Sequence, residues 1–474
     1  MLHVTVTAVS SEAIRVDFYF DTFDTLPNFI AVNEFDQSGN QINTSGNLPL
    51  PGSSLTVFGG LQPSTTYFYQ VCSITDTGAS GLNQDCTVWN AYSGTTQPAQ
   101  SPPTPPSSNQ KWWIHNLSAV TAGGPPVADG SLSAYVWAAQ KTQHVVYNYV
   151  DSSNVFHPCE LYYNGSWWFN NLTNIQGNSP SGYAWEQDNT EHIIYYSNND
   201  VGREIWELYY SENAWHNHSL TASVGDAPLA LGSQPLTYVW KSQNTQHVFY
   251  VGNDSHVHEL YFDGSWHHND LTNSVGDNPP APTGGLTGFA FERENTQHVF
   301  YLGQDKNIHE FYYDGAWHHN NLSVDAGFEG FGNHISTNLS AYAWENDGTE
   351  HVFFGSMYGD IFELWYRIGG QWNVHNVTNM AGVPSSFKIG TAALAAYVWE
   401  NQGTEHVIYL GNDDHIHELW FDQGGVWHHN DLNYFVGSSP APKFGLCGYA
   451  WEDQNTQHIF FVGTDNSIYE IYYA

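Results

Sequence analysis

Asn244–Thr272 reads NTQHVFYVGNDSHVHELYFDGSWHHNDLT, and it returns almost unchanged at Asn295–Ser323 as NTQHVFYLGQDKNIHEFYYDGAWHHNNLS. A looser copy runs from Gly403 to Leu432, and a shorter one occupies Asn455–Ala474. Repetition on this length scale marks a solenoid, a propeller or an array. Around the stretch each copy has the same order. A small-residue-rich strand ends in Trp, as in Leu132–Trp137, Ser181–Trp185 and Leu394–Trp399. A strand T-[QE]-H followed by apolar residues comes next, then a turn rich in Gly, Asn and Asp. A third strand carries Glu before aromatics, and a fourth opens with Trp. Four short strands per repeat of about fifty residues predict a β-propeller blade.

Counting sets the blade number. The second-strand histidines are His144, His192, His247, His298, His351, His406 and His458. The third-strand glutamates are Glu160, Glu207, Glu259, Glu310, Glu363, Glu418 and Glu470. The fourth-strand tryptophans are Trp112, Trp167, Trp215, Trp266, Trp317, Trp372 and Trp427, a series that starts before the first His and ends before the last Glu. The repeat region therefore opens with an orphan fourth strand, Lys111–Leu117, within a closing segment 111–118, and ends on a third strand, Ser467–Tyr473. Pairing these completes the last blade and removes the open edges. The expected fold is all-β, a seven-bladed β-propeller over residues 111–474.

Ahead of it, residues 1–97 hold strand-length runs bounded by turn residues: His3–Ala8, Ala13–Phe20, Phe29–Phe35, Ser54–Phe58, Tyr67–Ile74 and Cys86–Tyr92. They predict a small β-sandwich. The segment Leu61–Val71, LQPSTTYFYQV, resembles the turn into strand F of fibronectin type III domains, where a Tyr caps the corner. The resemblance implies a spacer or an attachment point for a partner protein. Residues 98–110, rich in Pro and Ser, read as an extended linker.

Composition narrows the partners. The 474-residue chain has 10 Lys+Arg against 47 Asp+Glu, a formal net charge of -37, so phosphate backbones and anionic lipid surfaces would repel it. Nucleic acid and membrane insertion are not expected. Its 25 His imply that much of this charge is lost between about pH 7 and 5. Of four cysteines, Cys72 and Cys86 are close enough in sequence to pair, whereas Cys159 and Cys447 read as buried thiols. The opening residues show no signal peptide, and the sequence leaves the compartment open, with action at a cell surface or outside the cell as the working expectation.

A polar pair repeated seven times on strands has two readings. It can be structural, one buried hydrogen-bonding solution reused around a closed repeat. Or it can line a ring of small-ligand sites, a carboxylate accepting two sugar hydroxyls, an imidazole adding a third bond and a Trp face packing on the sugar ring. Leu394–Trp399, Glu405–Tyr409, Ile416–Glu418 and the Trp427 strand together resemble one repeat of the Aleuria-type fucose-specific lectins. That resemblance implies a propeller binding L-fucose between adjacent blades, with an Arg on the second strand, a Glu on the third and a stacking aromatic from the next blade. The Glu position is met in all seven repeats, and the aromatic falls on the Trp series. The Arg position is His in every repeat, which replaces a permanent five-donor fork by a titrating ring. Seven blades also differ from the six of the family's familiar members.

Glycans or glycoconjugates are thus the expected partners, fucose or another neutral saccharide, bound at several sites. The competing expectation is a structural or adhesive propeller of a filament, appendage or injection device. His-x-His at His256/His258 and His415/His417 suggests transition-metal chemistry, but these residues follow the strand repeat and no Cys joins them, so no metal or cofactor is assigned. No enzyme is expected either: the four Arg (Arg15, Arg203, Arg293, Arg367) are scattered, and a sevenfold acid–base pair is unlike a single active centre.

Overall fold

The computed structural model describes residues 2–8, 14–20, 29–44, 48–49, 54–58, 65–76, 82–88, 90–95, 111–121, 128–172, 175–199, 202–328, 335, 338–437 and 440–474. The chain forms two compact units. One comprises Met1–Asn109, Asn376–Lys388 and Val426–His429, and the other the remaining residues of Gln110–Ala474. Among the described residues no helix is long and apolar enough to cross a membrane.

The larger unit is a β-propeller. Among the described residues it is built on seven four-stranded antiparallel sheets, each made of consecutive strands except the last. The third sheet is Leu236–Trp240, Thr245–Val251, Val257–Phe262 and Trp266–Asp270. The fourth is Thr287–Phe291, Thr296–Leu302, Ile308–Tyr313 and Trp317–Asn321. The fifth is Ser340–Trp344, Thr349–Gly355, Ile361–Arg367 and Asn373–Asn376. The first, second and sixth occupy residues 128–170, 178–219 and 389–431. In the seventh, Pro442–Trp451, Thr456–Gly463 and Ile468–Tyr473 are joined by Trp112–Asn116, with Trp112 opposite Tyr473 and His115 opposite Glu470.

The second strands run apolar after their T-x-H, and Thr245–Val251 is buried from Gln246 onward. Both faces of such a strand are covered because each sheet is stacked between two neighbours. The core accordingly lies between sheets. Phe249, Val257, Leu271, Val299, Tyr301 and Phe311 bind the third to the fourth, and Leu132, Val145, Leu161, Phe460, Val462 and Ile468 bind the first to the seventh. Tyr449 of the seventh sheet donates to Gln143 of the first over 2.6 Å. The hairpin before each T-x-H needs a left-handed residue, which Asn244, Asn295, Gly348 and Gly403 supply without a costly side-chain clash.

After the fourth strand the chain turns into a one-turn helix, such as Leu271–Ser274, whose first residue is fully buried and whose cap, Asp270, accepts from the Asn273 N–H. The apolar residue five places after each Trp is therefore an anchor under the sheet. In the second sheet the central hairpin runs longer than in the third, pairing down to Asn199 opposite Gly202.

In the smaller unit, Leu2–Ala8, Ile14–Phe20 and Ser54–Phe58 form one sheet, and Phe29–Phe35 and Thr66–Asp76 lie at the middle of another. The expected strand Cys86–Tyr92 is not found as such: Cys86 ends the strand Leu82–Cys86 and Tyr92 begins Tyr92–Thr95. Cys86 lies directly opposite Cys72 and the two form a disulfide. Tyr67 is buried, while the preceding turn residues 61–64 and the Pro/Ser segment 98–110 lie outside the described residues.

Candidate functional site

The sevenfold His and Glu residues meet inside each sheet. The strand register sets them two residues out of opposition, with His247 facing Tyr261 and Glu259 facing Phe249, so both side chains reach the same face. Nδ1 of His144, His192, His247, His298, His351, His406 and His458 lies 2.5–2.8 Å from Oε1 of Glu160, Glu207, Glu259, Glu310, Glu363, Glu418 and Glu470 respectively. The other ring nitrogen is held by a Thr hydroxyl two residues earlier on the strand, over 2.8 Å from Thr296 to His298. With Nδ1 protonated, each ring donates to its carboxylate and accepts from its Thr.

The second carboxylate oxygen is served from the fourth strand. Asn170, Asn269, Asn320 and Asn430 donate to it over 2.6–2.8 Å, and His115, His218 and His375 occupy the same place at 3.3–3.4 Å. Sequence reasoning missed these partners. Their signal was present: each lies three residues after the fourth-strand Trp. A second missed series is the Glu following the first-strand aromatic. Glu292 accepts two backbone N–H bonds, from Lys241 and Ser242 of the preceding sheet, and Glu345, Glu400 and Glu452 repeat the device. These carboxylates tie neighbouring sheets together.

The structure places the sevenfold His and Glu inside the sheets. The seven His are 4–5 % exposed and the seven Glu 0–3 %, each spent on the other. The tryptophans mainly pack the core: Trp167 and Trp427 are buried, and Trp317 and Trp372 set their edges against Phe249 and Phe300 of the preceding sheet. Trp266 borders the cluster joining the second and third sheets, and Trp215 that of the first and second. Trp112 packs against Tyr473 across its strand pair. A relay of buried polar groups satisfied by one another is what a closed repeat requires.

Between the fourth and fifth sheets a cavity of about 1100 Å³ reaches down to His298, Glu310 and Asn320 of one sheet and Glu350 of the other. Tyr312, Tyr366 and Trp372 wall it, and Arg293 and Arg367 stand at its edge. Both Arg are engaged, Arg367 with Asp347 at 2.6 Å and Arg293 with the carbonyls of Glu345 and Asn346. Six carboxyl groups, Glu294, Glu310, Asp314, Asp325, Asp347 and Glu350, line the same space.

Glu350 distinguishes the base of the cavity. It precedes His351 on the second strand, where four of the seven sheets have Gln. Burial pushes its carboxyl up to about 8, with the nearby Glu310 charge acting in the same sense and His298 against it. Its Oε2 is 3.3 Å from His298 Nδ1 yet makes no hydrogen bond. Burial opposes charging of His298, but Glu350 and Glu310 outweigh it and raise the imidazole above its ordinary range. Two further interfaces hold a related triad, His351–Glu363–Glu405 and His144–Glu160–Glu191. There Glu405 is likewise pushed up to about 8 by burial, and it accepts from the Tyr342 hydroxyl.

No protein-family model matches the chain, and no curated protein sequence matches it. Its fold is similar to solved structures at low identity. AofleA of Arthrobotrys oligospora aligns at 13 % identity and a TM-score of 0.45, covering 69 % of this chain and 91 % of that one. The Aleuria aurantia lectin in complex with α-methyl-L-fucoside aligns at 16 % and 0.44, covering 67 % and 99 %. A Hadza microbial sialidase aligns at 12 % and 0.38, covering 98 % and 93 %.

Proposed function

We propose that this chain is a carbohydrate-binding protein: a seven-bladed propeller, residues 111–474, following a fibronectin III-like module, 1–97, and a short linker, 98–110. The observation that carries the reading is the buried Glu350 carboxyl oxygen, without a hydrogen-bond partner, in an aromatic-walled cavity. A sugar ring presents what this cavity lacks, hydroxyls for the polar base and an apolar C–H face for Tyr or Trp. A neutral saccharide, fucose or a relative, fits better than an anionic one, because six carboxyl groups line the cavity and both Arg are already engaged. The triads at Glu405 and Glu191 are the next candidate sites, which makes the protein multivalent. Each site would bind with a Kd on the order of 0.1–1 mM, and a rigid ring presenting several raises avidity on a dense glycan surface. It is a binding protein rather than an enzyme, since the repeated relay serves every sheet alike. The N-terminal module would attach it to a partner.

A glycan array probed with the full chain tests this, beside the Trp372→Ala and Glu350→Gln variants. The expected result is one coherent class of neutral glycans, weakened at least tenfold in both variants. With Glu350 near 8 and His298 raised, binding stays level from about pH 5.5 to 7 and changes as pH climbs through 8. A folded protein silent on the array overturns the reading and favours a scaffold or adhesive propeller.

A further inference from the structure

The turn between the second and third strands carries chemistry that the sugar reading does not use. In the third sheet, Asp254, His256, His258 and Asp270 bring four ligand atoms within 4.8 Å of one another. His256 Nδ1 lies 2.9 Å from Asp270 Oδ2 and 3.9 Å from Asp254 Oδ2, and His258 Nε2 lies 3.0 Å from Asp254 Oδ1. A tetrahedral zinc ion with bonds of about 2.0–2.1 Å sets neighbouring ligand atoms about 3.3 Å apart, inside this spread.

The sixth sheet holds a smaller version of this cluster. Asp413, His415 and Asp431 lie within the same limit, His415 Nδ1 is 2.9 Å from Asp431 Oδ2, and His417 Nε2 is 2.9 Å from Asp413. The fourth and seventh sheets show how the same turn is built otherwise. There Asn307 or Ser467 replaces the first His, and Asn307 itself donates to Asp305 over 3.0 Å. The turn thus folds without the paired imidazoles, and their presence twice calls for another explanation.

We propose that the third and sixth sheets each hold one divalent transition-metal ion of the zinc class, through His256, His258, Asp254 and Asp270 in the third and through His415, Asp413 and Asp431 in the sixth. The nitrogen donors select such an ion over calcium or magnesium, which prefer all-oxygen shells. The surroundings suit coordination. His258 is buried and its Nδ1 lies 3.0 Å from His268 Nε2, while His268 Nδ1 lies 3.2 Å from Asp226, so the ring's far nitrogen is held as a ligand's usually is. Asp254 and His256 are part-exposed, leaving an entry path. Binding at His256 Nδ1 moves that ring's proton to Nε2, freeing the lone pair for the metal.

The test uses the full chain, stripped with EDTA, dialysed against micromolar zinc near neutral pH and assayed for bound metal. The expected stoichiometry is two ions per chain, matching the two clusters. It should fall to one in His256→Asn or His415→Asn and to none in the double variant. Asn is the fourth sheet's own residue at this place, so these variants keep the fold. Cobalt substitution should give a tetrahedral absorption band in wild type that the double variant lacks. No retained zinc in wild type, or the same stoichiometry in the double variant, overturns the proposal.

Discussion

The third–fourth and fourth–fifth interfaces start from nearly the same sequence and end differently. At the first, Tyr238 donates to Gln297 over 2.9 Å, and Gln297 donates on to Glu259 over 3.2 Å. Every member is satisfied and neutral Gln carries no charge to desolvate. At the second, Phe289 stands where Tyr238 would and has no hydroxyl, and Glu350 stands where Gln297 would. The carboxyl is left with an idle oxygen, its proton held by burial, and a cavity opens beside it. Two substitutions therefore separate a closed interface from one with unspent hydrogen-bonding capacity, and such capacity is what a ligand site needs.

The largest effect should come from removing a relay carboxylate. Glu259→Ala strands His247 and Asn269 at the closed interface and should cost about 3–5 kcal/mol in denaturant unfolding. Glu310→Ala should cost less, about 2 kcal/mol, since the cavity admits water to His298 and Asn320. Equal losses would break the distinction. Next, Glu350 has a folded pKa raised to about 8 from an ordinary 4.5, so the fold favours its protonated form and loses stability as pH rises through that window. Glu350→Gln should be neutral near pH 4.5 and gain on the order of 1 kcal/mol at pH 8, read as a flatter melting-temperature profile. Adding Phe289→Tyr should rebuild the closed arrangement and abolish glycan binding there with the fold retained. Smallest, Tyr238→Phe should cost about 1 kcal/mol at the closed interface, the value of one hydrogen bond to a buried amide.

The repeat made much of this legible beforehand. The period gave four strands per sheet, and the offset of the Trp series against the His series pointed to Trp112–Asn116 as a partner for the last strand. What the sequence hid was burial. A Glu whose oxygens are taken up by buried protein partners looks in one dimension like a Glu awaiting a sugar. The relay's Thr and Asn members stand at fixed offsets, two before the His and three after the Trp, and would have revealed a filled network. The distinctive interface was harder to see because its signal is the joint change at Phe289 and Glu350, sixty-one positions apart and adjacent only once two sheets stack.

The pairing of Trp112–Asn116 with Ile468–Tyr473 also governs when this protein can exist. Asn116 donates to the Tyr469 hydroxyl across 353 positions of chain. A ribosome emits some five to twenty residues each second, so the early strand waits on the order of tens of seconds for its mate. Throughout that interval its backbone groups are an unclaimed edge, open to pairing with a neighbouring nascent chain. Translation speed, or a chaperone that shelters the first strand, thus becomes a determinant of yield, and a chain cut short before residue 468 should be found in aggregates.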